Sequence, residues 1–225
     1  MNAPSSATAL ATLVRVTLLR LMRGRALWVS VLIALLPALF AGALQTTHHT
    51  AEPIQLVIML VMALLPPMFV ASSVGEEIED RTTTYLWSRP IARWTIIVGK
   101  VLALAPVAIV LVVVGTCVAL QIETGTLPVQ FATATGAGAL AVALMSAGIA
   151  TLVPKHGMSL SLIYLIIFDL PLGALPVSLN HISITHQVGQ LADASGDAVN
   201  AAVTLVIVAG AWLAIALLRI RRLES

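Results

Sequence analysis

The sequence predicts an all-α integral membrane protein with six transmembrane helices, an N-terminal interfacial helix and a short cytoplasmic helix between the second and third spans. Three observations predict it. Of 225 residues, 59% are hydrophobic and only 10% are charged, against roughly 25% charged in a soluble domain. With a mean hydropathy of +1.02, the chain has too few polar groups to face water on every side, and lipid must solvate most of its surface. Six apolar runs each approach the length of about 20 residues that a helix needs to cross a bilayer. Finally, all 12 Lys and Arg residues fall on one side of the resulting topology.

The leader comes first. Between Thr8 and Arg25, Leu10, Leu13, Val14, Leu18, Leu21 and Met22 recur at helical spacing, while Thr12, Arg15, Arg20 and Arg23 take other faces. That periodicity favours a helix in the headgroup layer, its arginines reaching anionic lipid, over a flexible basic leader. The spans follow at Ala26–Leu44, Ile54–Val74, Val101–Leu120, Phe131–Val153, Met158–Val177 and Ala201–Ile220. The first ends in Ala41-Gly42-Ala43, which resembles a signal-peptidase site. Its length and the amphipathic leader before it argue for an uncleaved span. Short connections leave no room for a second domain, so residues 1–225 read as one transmembrane domain.

Charge placement sets the orientation. Arg15, Arg20, Arg23 and Arg25 precede the first span; Arg81, Arg89, Arg93 and Lys100 separate the second from the third. Lys155 lies between the fourth and fifth, and Arg219, Arg221 and Arg222 close the sixth. The alternate connections, Gln45–Pro53, Gln121–Gln130 and Ser178–Asn200, contain no Lys or Arg. The positive-inside rule makes the basic side, and with it both termini, cytoplasmic.

Polar features within the spans are few. Pro66-Pro67 and Pro106 predict kinks, because proline removes a backbone hydrogen bond. Ala139, Ala143 and Ala147, four residues apart, form a small-residue stripe that lets another helix approach closely. Cys117 reads as a small buried hydrophobe. Asp169 is the one acid well inside a span, and two readings stand for it. An intramembrane acid is expensive and marks a functional group by default; alternatively, just before Pro171, it lies near a helix break where water or backbone groups satisfy it.

The connection from Gly75 to Lys100 is the richest in charge. Ser73 with Glu76 fits an S-x-x-E capping box, so a helix is expected to begin there. Glu76, Glu77, Glu79 and Asp80 then crowd a first turn, where the helix dipole favours acids. Ile78, Thr82, Tyr85 and Leu86 share one face, and Trp87 lies far enough from either span to suggest a docking surface. Pro90 ends the helix, and Ser88 caps the next.

These residues resemble the signature of the ABC type-2 export permeases. The elements are Glu77 and Glu79, Arg81-Thr82, Leu86 with Trp87, Ser88-Arg89-Pro90, Arg93 and Gly99-Lys100, with Arg81 where Gly is frequent and Trp87 where Leu is frequent. The elbow helix, six spans and long connection before the last span extend the resemblance over the chain. It implies an ATP-driven exporter subunit in a bacterial cytoplasmic (inner) membrane, pairing with a second copy or a homologous permease. Each copy would dock a coupling helix, about Glu76–Trp87, on one subunit of a separate ABC ATPase dimer. Glu76, Glu77, Glu79, Asp80, Arg81, Thr82, Tyr85, Leu86, Trp87, Arg89, Pro90 and Arg93 would form that contact, with charge pairing through Glu79, Arg81 and Arg89 and an apolar anchor at Leu86 and Trp87. ATP and Mg would bind the ATPase. The chain itself would carry no cofactor, metal or catalytic residue, and its other partner would be membrane lipid, with no nucleic acid.

The residues agree on what is missing. No G-x-x-x-x-G-K-[ST] phosphate loop occurs in the sequence. An intramembrane serine protease would need a histidine in a span, and His48, His49, His156, His181 and His186 all fall between the runs. His181 and His186 are wrongly spaced for one helical face of a metal site; a solvated loop, or short helices capping the external mouth, is the simpler expectation. A proton-coupled carrier using Asp169, or a non-transporting membrane subunit, is the alternative class. The substrate is not legible.

Overall fold

The computed structural model describes residues 6–45, 52–79, 94–126, 129–175, 178–193 and 197–222. They form α1 (Ser6–Arg23), α2 (Arg25–Gln45), α3 (Glu52–Pro66), α4 (Ser72–Glu79), α5 (Trp94–Thr124), α6 (Val129–Leu152), α7 (Gly157–Ile163), α8 (Leu170–Ala174), α9 (Ile184–Ala192) and α10 (Ala198–Arg222). No strand occurs among the described residues. Six helical stretches are long and apolar enough to cross a membrane: Arg25–Gln45, Ile54–Gly75, Trp94–Thr124, Val129–Leu152, Pro154–Ala174 and Ala198–Ile220. Each overlaps one predicted run. The third begins earlier than expected, at Trp94.

The surface is inverted relative to a soluble bundle. On α2, the buried positions include Ser30, Ala34, Ala38 and Ala41, while Trp28, Leu32, Leu36 and Leu39 point outward. Small residues let backbones approach, and large apolar side chains face an apolar solvent. The fourth span, α6, is the centre: 72% of its apolar window is buried, against 22% for the fifth and sixth spans. Ala139, Ala143 and Ala147 are each fully buried on it. Hydroxyls inside the bundle fold back onto their own helices, as in Ser146 to the Val142 carbonyl (2.7 Å), Thr151 to Gly148 (2.7 Å) and Ser161 to Gly157 (2.7 Å). That removes the cost of burying them.

The two prolines of the second span lie where the helix changes its winding. The chain passes from α3 into a π-helical turn, Pro67–Ala71, and then into α4. The Ser72 N–H reaches the carbonyls of Phe69 and Pro67, so a widened turn absorbs the missing proline donors. Pro106 sits inside the continuous helix α5. The fifth span has a second π turn, Tyr164–Asp169, just before Pro171. α1 is helical as predicted, with Val14, Leu18 and Leu21 packed on the core and Arg15, Arg20 and Arg23 exposed. Met22 of the same periodicity is exposed.

Candidate functional site

Two polar assemblies interrupt this apolar bundle, one at each end. At the end carrying the arginines lie the two feet of the 75–100 connection. The first foot, α4, continues the second span: Ser72 has helical angles of φ −61° and ψ −48°. No helix starts at Ser73, which corrects the capping-box expectation. The first-turn dipole argument for Glu76 and Glu77 falls with it, because these residues close a helix that began in the membrane. Glu76, Glu77 and Glu79 lie on the backbone of α4. Asp80, Arg81, Thr82, Tyr85, Leu86, Trp87, Arg89, Pro90 and Arg93 lie outside the described residues, as does the expected turn at Ser88.

The second foot is the start of α5. There Lys100, only 3% exposed, donates from Nζ to the Ser73 carbonyl, so a buried cation ties the feet together. The step before it, Gly99, rests against the Leu13 side chain of α1. On its other side α4 meets the turn between the fourth and fifth spans (Pro154–His156). A Cβ at Gly75 would stand 2.6 Å from the Pro154 carbonyl oxygen, so only glycine allows this approach. Lys100 entered the sequence reading as a loop charge and as part of the Gly99-Lys100 step of the family resemblance. Its burial was missed because its partner, the Ser73 carbonyl, lies 27 residues earlier in the chain.

At the opposite end, the connection before the last span is built into the bundle. It holds a 3₁₀ turn, Ser178–Ile182, and helix α9, whose Ile184 and Val188 are buried. Asp169, 1% exposed, caps α9 from the fifth span. Its Oδ1 accepts the Ile184 N–H at 2.7 Å and its Oδ2 the Thr185 N–H at 2.9 Å. Two of the four N–H groups that a helix start leaves unpaired are thereby satisfied. Ser183 is the N-cap residue proper: its Oγ accepts the His186 N–H at 3.1 Å and donates to the Asp169 carbonyl at 3.0 Å. The Thr185 hydroxyl reaches the same carbonyl at 3.2 Å.

Gly173 leaves the room this needs, since a Cβ there would come within 2.8 Å of both the Ser183 and Thr185 hydroxyl oxygens. Its carbonyl takes His186 Nδ1 at 3.3 Å, and Gln187 donates to the His181 carbonyl at 2.7 Å. The His181 and His186 rings meet edge to face, 6.1 Å between centroids. No group of three or more His, Cys, Asp or Glu side chains converges among the described residues. Of the two readings of Asp169, the geometry favours satisfaction by backbone groups, here from another helix. Ser183 and Thr185 were missed, although a serine three residues before His186 is a readable N-cap signal.

Fold and polar sites together define a polytopic membrane subunit with a buried polar clamp at each end and no assembled catalytic centre among the described residues. A family model described as ABC-2 family transporter protein matches residues 53–187. The chain belongs to that family and is an ABC transporter permease. The match spans the second membrane helix through the first turn of α9, and so includes both clamps. No curated protein matches the chain.

Proposed function

We propose that this permease is half of the membrane channel of an ATP-driven exporter, working as a pair of six-span subunits in a bacterial inner membrane with both termini cytoplasmic. A separate ATPase dimer supplies ATP hydrolysis and holds the nucleotide and Mg. The observation that carries the reading is the clamp at the feet of the 75–100 connection. Lys100 joins the second span to the third, and Gly75 seats α4 on the turn between the fourth and fifth. A push on the connection therefore reaches four spans through short, buried contacts, which suits a mechanical input from a moving partner.

Glu76, Glu77, Glu79, Asp80, Arg81, Thr82, Tyr85, Leu86, Trp87, Arg89, Pro90 and Arg93 form the docking segment in this reading. Leu86 and Trp87 supply the apolar anchor, since a few buried large side chains carry most of an interface's energy. Helix α1 lies in the cytoplasmic headgroup layer as an elbow. The proton-carrier reading of Asp169 has no comparable support, because both carboxylate oxygens already accept backbone N–H groups.

The test is detergent copurification of the tagged chain with candidate ATPases, comparing the wild type with Leu86→Asp/Trp87→Asp. Retention with the wild type and loss of at least about tenfold with the folded variant is expected, since two buried charges at an anchor exceed the 1.4 kcal/mol that a factor of ten represents. Equal retention by the variant removes the anchor. An intact protein that holds no ATPase sinks the exporter reading.

A further inference from the structure

We propose that one water molecule is bound midway along the first span, between the carbonyls of Ile33 and Ala34 and the hydroxyl of Thr116 on the third span. The starting point is a hydroxyl. Thr116 is 1% exposed and lies in a membrane segment, where an unpaired polar group has no solvent to fall back on. Ser30, Thr135, Ser146, Thr151 and Ser161 are buried to a similar depth, and each donates to a carbonyl of its own helix. Thr116 makes no such bond, nor any other among the described residues.

The first span supplies what the hydroxyl lacks. Pro37 lies inside α2 and is buried. It has no N–H for the Ile33 carbonyl four residues back, and its ring clashes with that carbonyl. In membranes, freed carbonyls of this kind are taken up by neighbouring hydroxyls or by ordered water. A Cβ at Gly115 would stand 2.1 Å from the Ala34 carbonyl oxygen, so this oxygen faces α5 one residue before Thr116. Val112 shares a core cluster with Ala34, and Ala119 shares the next with Ala38. Thr116 stands between those two layers on α5, level with the turn that Pro37 interrupts.

The groups balance as a water site. A water donates twice, to the Ile33 and Ala34 carbonyls, and accepts once, from the Thr116 hydroxyl. About three partners is the usual number for a buried water, and a bridge suits a hydroxyl that bonds to neither carbonyl directly. Residues 31–38 and 112–120 contain no Asp, Glu, Lys, Arg or His, so the site does not depend on charge. It ties the first span to the third inside the membrane, away from the clamps at the two ends.

Two measurements on the full chain in detergent test it. The first is a cycle of SDS-induced unfolding with Thr116→Val, which keeps the shape and removes the hydroxyl, and Pro37→Ala, which restores the N–H. Thr116→Val alone is expected to raise the unfolding constant about fivefold, the worth of one buried hydrogen bond. With Pro37→Ala in place, the same change should shift it by less than about twofold. The second is X-ray radiolysis on a Cys117→Ala background, in which a bound water oxidises the side chain it touches despite burial. Oxidation at Thr116 should exceed that at Thr135, a buried hydroxyl bonded within its own helix. Thr116→Ser should keep the label and Thr116→Val should lose it. Equal effects of Thr116→Val with and without Pro37→Ala overturn the link to the break in the first span. Coupling without oxidation at Thr116 would make the contact direct, and removes the water. A Thr116→Val chain more stable than the wild type overturns the site, since the hydroxyl would then be a bare cost.

Discussion

The two ends of this bundle solve the same problem in opposite ways. At the arginine-rich end, one long side chain does the joining: Lys100 crosses from α5 to the Ser73 carbonyl of α4, and glycine at position 75 lets α4 lie on the Pro154 turn. At the other end a carboxylate, two hydroxyls and the N–H groups of α9 share a dense network around residue 169. A flexible lysine tether keeps its bond while the two helices tilt. A network with each partner fixed by backbone geometry does not stretch; it holds or it opens. The difference teaches that one end is held by a single side-chain bond and the other by a set of mutually dependent ones.

The sharpest way to break this comparison is Asp169→Ala. It strips two charge-assisted bonds and leaves the buried Ile184 N–H and the half-buried Thr185 N–H without their carboxylate acceptor. A loss of about 3 kcal/mol in the stability of α9's docking is expected. Hydrogen exchange should show it as lost protection from residue 184 to 192, with Ser72–Glu79 unchanged. Spread of the effect into α4 would mean that the two ends are not separate devices.

Lys100→Met comes second. Methionine keeps the apolar stem and removes the donor, so the Ser73 carbonyl loses a charge-assisted bond, worth about 2 kcal/mol. Faster exchange should appear in Ser72–Glu79 and the first turns of α5, and α9 should be untouched. Pro154, on which the Lys100 end is seated, and Asp169 stand at opposite ends of the fifth span, about 22 Å of helix apart. The double variant Asp169→Ala/Lys100→Met should therefore be additive within about 0.5 kcal/mol. A larger coupling energy would show that the two clamps are one switch.

The asymmetry also explains what could be read in advance. The spans were legible because bilayer thickness imposes one length on every apolar run, and no tertiary detail alters that constraint. Ile54–Val74 against the observed Ile54–Gly75 is typical. The span boundary that moved most, Trp94 in place of Val101, lies where Lys100 is buried: a helix was expected here after Ser88, but the cation was placed outside the span. The capping box at Ser73 failed for the same physical reason. The S-x-x-E pattern signals a helix start only if the chain before it is not already helical, and here the second span runs straight through.

Asp169 shows the other limit. Its rarity flagged it, but its partners lie 15 and 16 residues further on, beyond any local spacing rule. For the connection without Lys or Arg a solvated loop or short helices were expected; the structure has the short helices, with Ile184 and Val188 buried against the bundle. The apolar spacing of α9 was available in Ile184, Val188 and Leu191. It was too short to stand out beside six spans.

Ser183→Ala is the smallest and most discriminating change. It removes an N-cap hydroxyl that accepts from His186 and donates to the Asp169 carbonyl, and should cost about 1 kcal/mol by itself. Because Ser183 and Asp169 cap the same helix turn, the losses should not add. Once Asp169→Ala has released α9, removing the serine should cost less than about half of its single-variant value. Measured as midpoints of unfolding for the two single variants and the double, this cycle distinguishes a cooperative latch from two independent caps. Strict additivity would mean that α9 is merely decorated by hydrogen bonds. A coupling term of the expected sign would mean that the helix opens as a unit, with Asp169 and Ser183 acting as one cap.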